Sequence, residues 1–145
     1  MYMHALRSHR RLLASVAIAA AGWLPLPLHA GQPQSTKDGV YSDAQAKRGE
    51  ALYAQQCVSC HSADLSGSGA PALAGADFLG SWDKTPVADL VEKIATSMPS
   101  SSPGSLSRVQ ASDLVAFLLK SNNFPSGAAD LATDAAILKT INIVK

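Results

Sequence analysis

Residues 57–61 read CVSCH and hold both cysteines of the chain, Cys57 and Cys60, with His61 directly after them. Two thiols and an imidazole in five residues can serve four chemistries. A disulfide across two intervening residues closes a very small loop and gains little chain entropy. A thioredoxin-like redox pair wants a βαβ context, and no such alternation is present. A closed structural zinc site wants four ligands, and no second Cys or His pair follows. The fourth chemistry is covalent haem attachment, in which both thiols add to the vinyl groups and the next histidine ligates the iron from below. The spacing favours this last reading, because one helical turn presents both sulfurs to a porphyrin edge.

The N-terminus bears on the ligand count. Met1–Arg11 carries Arg7, Arg10 and Arg11, and Leu12–Leu28 is an uncharged run of 17 residues that ends in His29-Ala30-Gly31. This is the order of a secretory signal peptide, expected over residues 1–30 with cleavage near Ala30. The alternative is an uncleaved membrane anchor, for which the run is short of the roughly 20 residues a spanning helix needs. An exported, periplasmic protein is expected, with membrane contact only if the segment stays on.

His4, His9 and His29 all precede residue 31, as do Met1 and Met3, so the exported chain keeps His61 and Met98 as its only histidine and methionine. The precursor has 12 Lys+Arg and 11 Asp+Glu, and three arginines leave with the signal, giving 9 against 11, a net −2. No basic stripe remains to follow a phosphate backbone, so no nucleic-acid partner is expected. The same balance lacks the lysine excess that would steer the chain to an acidic docking face.

The elements that must position these residues read as helices. Residues 31–41 are polar and irregular, expected as a flexible leader. Ser42 or Asp43 caps a helix to about Gln56, with capping-box spacing between Ser42 and Gln45. Gly49 within it costs helix stability and predicts a close helix crossing, where the alternative is a tolerated surface glycine. Residues 62–81 are rich in Gly, Ser, Ala and Pro and read as a long loop wrapped around something. Thr85-Pro86 predicts a cap and a first helical position for a helix to about Thr96, with Val87, Leu90, Val91 and Ile94 inward. A third helix is expected from about Ser107 to Lys120, with Val109, Leu114, Phe117, Leu118 and Leu119 inward. Asn122-Asn123 suit its left-handed C-terminal turn. A short helix is expected at Asp134–Lys139 and an extended end at Ile141–Val144. No strand alternation builds a sheet, so the fold class is all-α, with three to five helices around one haem over residues 42–145 and a C-terminal extension from about residue 125.

Met98 has two readings. It continues the stripe of Val87, Val91 and Ile94 as a flexible core residue, or it ligates the iron opposite His61. Pro99 favours the second, since a residue before proline is pushed out of the helical region.

The stretches GEALYAQQCVSCH, GAPALAG, FLGSW, MPSSSPGSLS and DLVAFLLKSNNFPSG together resemble a class I c-type cytochrome over about residues 43–127. The resemblance implies the cytochrome c fold with crossed N- and C-terminal helices. It implies haem c attached at Cys57 and Cys60, with His61 and Met98 as axial ligands. It further implies that the Pro71 carbonyl accepts a hydrogen bond from the His61 ring, where the alternative is an ordinary loop proline. Trp82 would lie beside the haem, where the alternative is a core tryptophan. Phe117 stands where many relatives have tyrosine. The tail is similar to cytochrome modules that accompany quinoprotein dehydrogenases.

With both axial positions filled, the expected function is one-electron transfer rather than enzymatic turnover, in a free carrier or a subunit of a dehydrogenase complex. The donor would be a periplasmic dehydrogenase and the acceptor a terminal oxidase or another cytochrome. The rival is a haem-based peroxidase or gas-binding sensor, which requires a labile Met98.

Overall fold

The computed structural model describes residues 35–145, so the expected signal peptide at 1–30 and the start of the expected leader lie outside the described residues. Six helices follow in order: α1 Asp43–Gln56, α2 Val58–His61, α3 Gly75–Trp82, α4 Val87–Ser97, α5 Arg108–Ser121 and α6 Ala135–Leu138. Among the described residues there is no β-strand beyond isolated bridges, and the fold is all-α as expected.

The frame is the crossing of α1 and α5. Ser42 starts α1, its Oγ accepting from the Gln45 amide at 3.0 Å. The helices meet at Gly49, where an added Cβ would lie 1.9 Å from the Asp113 carbonyl oxygen. No other residue fits such an approach without displacing backbone. The Tyr53 and Phe117 rings pack one turn further on, with centroids 5.2 Å apart. The second half of the expected capping box does not form. Gln45 is buried, and its amide instead pairs with the Leu131 backbone, donating from Nε2 to the carbonyl at 3.2 Å and accepting from the amide at 2.6 Å.

Helix α4 buries Val87, Leu90, Val91 and Ile94 as its 3.6-residue stripe requires. Its start differs from expectation: Pro86 occupies the cap position, and the Thr85 hydroxyl donates to the Trp82 carbonyl at 2.7 Å instead of capping. Helix α5 begins with a full capping box between Ser107 and Gln110. It buries Ala111, Leu114, Val115, Leu118 and Leu119. Val109, expected inward, is 57% exposed, because two residues before Ala111 is about 200° around the helix from that face. Asn123 supplies the left-handed turn after α5, at φ 63°.

Two segments correct the reading of the sequence. Helix α3 lies inside the stretch read as loop. Its single buried residue, Phe78, and its two glycines leave too short a stripe to see. Residues 35–41 are not a free leader. Thr36, Val40 and Tyr41 are buried, and a 3₁₀ turn at Thr36–Asp38 is capped by Ser35. The tail holds this segment down. The Thr36 amide donates to the Asn142 carbonyl at 2.9 Å, and the Tyr41 hydroxyl to the Phe124 carbonyl at 2.6 Å. Gly127 meets Gly39 so closely that a Cβ on Gly127 would lie 1.9 Å from the Gly39 oxygen. The expected short tail helix forms as α6 with Asp134 as its cap. The extended end then pairs with the α3–α4 connection, the Val87 amide donating to Ile141 at 2.8 Å and the Ile143 amide to Thr85 at 2.9 Å. Arg48 ties α1 to α5 and the tail, 3.0 Å from Asp113 and 2.7 Å from Asp130.

Candidate functional site

Helix α1 ends at Cys57, whose amide donates to the Tyr53 carbonyl at 2.9 Å, and the chain turns at once into α2. The His61 and Cys60 amides both reach back to the Cys57 carbonyl, at 2.9 and 3.2 Å. CVSCH is therefore one tight helical turn, and its two sulfurs and its imidazole sit on one wall. After His61 the chain reverses at Ser62, at φ 64°. The Tyr53 hydroxyl secures that reversal, donating to the Ser62 carbonyl at 2.6 Å.

The wall belongs to a cavity of about 530 Å³. Cys57, Cys60, His61, Pro71, Trp82 and Met98 all line it. Met98 lies just past the C-terminus of α4 in extended backbone, at φ −119° and ψ 151°. It is half-buried against the core. The floor and sides are apolar, from Phe78, Leu90, Ile94, Leu114 and Leu118. Trp82 packs against Phe78 with centroids 6.4 Å apart.

His61 Nδ1 lies 2.9 Å from the Pro71 carbonyl oxygen. A carbonyl can only accept, so Nδ1 is the ring nitrogen that donates. Pro71 is positioned by the backbone of its loop: the Leu73 amide donates to Leu65 at 2.8 Å and the Gly67 amide to His61 at 3.0 Å. Asn122 pins the far end of this loop to α5, donating to the Leu73 carbonyl at 3.0 Å and accepting from the Gly75 amide at 2.9 Å.

These surroundings separate the chemistries open to CVSCH. Burial pushes the Cys57 thiol up, with Cys60 beside it adding to the effect. A reactive redox cysteine needs the opposite shift. The two cysteines are not joined in a disulfide. Among the described residues no three His, Cys, Asp or Glu side chains gather to hold a metal ion, so a closed zinc site has no ligand set. A large apolar cavity lined by two thiols, an imidazole and a thioether fits a covalently held haem. Burial also keeps the Tyr53 hydroxyl neutral, its pKa pushed up to about 12, with Cys57 and Asp64 contributing.

Two contributors to the site were not read from the sequence. Tyr53 falls within the helix expected to run to Gln56, and nothing in its spacing signals the hydrogen bond to Ser62. Asn122 was seen as a turn residue; its bridge to Leu73 and Gly75 joins residues about 50 apart in the chain, which no local pattern encodes.

Residues 44–118, just over half of the chain, match the family model described as cytochrome C oxidase, cbb3-type, subunit III. The chain is also similar to cytochrome c-551 of Bacillus subtilis (strain 168), at 32% identity over 85 residues, covering 59% of this chain and 70% of that protein. Among solved structures it is similar to the sulfane dehydrogenase SoxCD from Paracoccus pantotrophus, at 28% identity and a TM-score of 0.45, covering 59% of this chain and 46% of that one. It thus spans less than half the length of that chain. With its all-α fold and thiol-lined apolar cavity, this chain belongs to the class I c-type cytochromes, the electron carriers with a covalently bound haem c.

Proposed function

We propose that the chain is an exported one-electron carrier whose haem is held at Cys57 and Cys60 and ligated by His61 and Met98. The observation that carries this reading is the joint placement of the imidazole and the thioether on the cavity that the two cysteines line. When bound, haem c supplies a one-electron iron couple. The protein's share is positional. Cys57 and Cys60 anchor the group covalently. The Pro71 carbonyl holds the His61 ring in the tautomer that presents Nε2. Met98 would supply the second ligand from the same cavity, and a thioether ligand would favour the reduced state. Phe78, Leu90 and Leu118 keep water from the interior.

With His61 and Met98 both bound, the iron would have no place for a substrate, which makes the protein a carrier rather than an enzyme. The donor is a periplasmic dehydrogenase and the acceptor a terminal oxidase or another cytochrome; the oxidase subunit named in the matching family supports the acceptor side. The signal-peptide pattern of residues 1–30 supports export.

Acid–acetone extraction with intact-mass measurement tests attachment. One haem should stay on each chain of the purified protein, and Cys57→Ala with Cys60→Ala should abolish this. Redox titration should then give a single one-electron wave. Haem that extracts freely from the wild type would overturn the assignment.

A further inference from the structure

Pro71, whose carbonyl lies 2.9 Å from His61 Nδ1, sits on a loop tied at both ends. On the near side the ties run to the CVSCH turn itself. The Gly67 and Ser68 amides donate to the His61 and Cys60 carbonyls, each at 3.0 Å. Gly67 is folded so tightly onto the loop, at φ 80°, that a Cβ there would lie 2.3 Å from the Ala70 carbonyl oxygen. On the far side the tie is one side chain from the end of α5. Asn122 donates from Nδ2 to the Leu73 carbonyl at 3.0 Å and to the Leu118 carbonyl at 2.8 Å, and accepts at Oδ1 from the Gly75 amide at 2.9 Å. Gly75 opens α3, and a helix start leaves its first amides without partners inside the helix. Ala74, at the cap position, makes no side-chain bond to them. Asn122 therefore caps α3 from another helix. It is buried and does not line the cavity.

We propose that Asn122 is a positioning residue for the His61 imidazole: by fixing Leu73 and Gly75 to α5 it keeps the Pro71 carbonyl on Nδ1, and through that bond it sets how strongly the ring donates to iron. The proposal rests on the ligation of iron by His61 proposed above. Only Ala72 separates Pro71 from Leu73, so a fixed Leu73 leaves the Pro71 carbonyl little freedom to move. A hydrogen bond accepted from the Nδ1 proton makes the ring a more basic ligand, and a more basic ligand favours the oxidised iron. Release of the loop lets the Pro71 carbonyl retreat, which weakens the donation and favours the reduced form. An asparagine that only stabilised the fold would change the unfolding free energy and leave the ring alone.

The probes are the haem-loaded variants Asn122→Ala and Asn122→Ser. A serine hydroxyl can still bond back to the Leu118 carbonyl four residues earlier, but it ends one bond short of the asparagine amide and gives up the loop. Gln45→Ala is the matched control. It also removes a buried amide that pins both backbone groups of one residue, Leu131, and Gln45 does not line the cavity. In both Asn122 variants the ratio of reduced to oxidised protein at a fixed solution potential should rise about threefold, a shift of about 28 mV at 59 mV per tenfold. The His61 Nδ1 proton, read by NMR in the reduced form, should exchange with solvent about tenfold faster. Gln45→Ala should lower stability and move neither readout.

An unchanged potential or an unchanged Nδ1 exchange rate in the Asn122 variants would overturn the proposal and leave Asn122 a stabilising cap. An equal shift in Gln45→Ala would overturn it too, by making general loosening the cause. Both outcomes leave the ligation of iron by His61 intact. That reading fails separately, in the wild type: His61 ring protons without the large upfield displacement that a haem imposes on its axial ligand would remove it, and the proposal with it.

Discussion

Met98 leaves α4 in extended backbone and faces the cavity with its thioether, and one substitution separates its two roles. As iron ligand, Met98→Ala should abolish the weak sulfur-to-iron absorption band of the oxidised form, lower the midpoint potential and open a site for carbon monoxide. As core filler alone, it should cost about 2–5 kcal/mol of stability and leave the oxidised spectrum unchanged. The first pattern is expected. At this scale the gathering of Cys57, Cys60, His61 and Met98 on one cavity was legible, because CVSCH is a local motif and because His61 and Met98 are alone of their kind after residue 30. Tyr53 and Asn122 were not legible, since their work is done through backbone carbonyls that only the fold brings near. Asn122 is buried and also donates to the Leu118 carbonyl at 2.8 Å. Asn122→Ala would leave the Leu73 carbonyl and the Gly75 amide without their Asn122 partner, and should cost about 1–3 kcal/mol in denaturant unfolding of the haem-loaded protein.

Helices α1, α4 and α5 were legible because each is long enough for its apolar period to show, and Gly49 announced the α1–α5 crossing by costing helix stability without another reason to be there. Gly49→Ala therefore inverts the usual propensity. An exposed helical site would gain about 1 kcal/mol, whereas here the Cβ meets the Asp113 carbonyl and overpacking should cost about 1–3 kcal/mol or more. Thermal unfolding of the variant checks the sign. Helix α3 was illegible because one buried phenylalanine makes no period. Residues 35–41 were illegible because their partners come from the far end of the chain: Thr36 Oγ1 accepts from the Val144 amide at 3.2 Å, and Lys37 Nζ donates to the Lys145 carbonyl at 3.0 Å. Ile143 is fully buried where this clasp meets the α3–α4 connection. Ile143→Ala should cost about 2–5 kcal/mol and loosen residues 35–41, seen as faster amide exchange at Thr36.

Among the described residues a helical frame lines the apolar cavity, and the tail folds back to pair with residues 35–41 and the α3–α4 connection. Three exposed carboxylates give the fold an acid limit. Asp43 is held below the usual carboxylate range by hydrogen bonds from Lys120 and Ser126, Asp130 by Ser42 and Arg48, and Asp64 by Ser66. Each is lower in the folded than in the unfolded chain, so its contribution is complete above the unfolded value of about 4 and is lost as pH falls through the folded values. Unfolding titrations should therefore show a nearly flat stability above about pH 5 and a decline below about pH 4. Asp43→Asn and Asp130→Asn should each reduce that slope. All-α architecture was legible at this scale from the absence of strand alternation. The route of the chain ends was not, because it depends on contacts across the full length of the domain.

The claim beneath all three scales is that Met98 and His61 together close the iron to outside ligands, which makes the protein a carrier. Carbon monoxide added to the reduced, haem-loaded wild-type protein tests this most directly, read by visible absorption at neutral pH. The spectrum should stay unchanged over minutes under excess gas. Prompt formation of a carbon monoxide complex would contradict the carrier assignment and identify an iron open to small ligands.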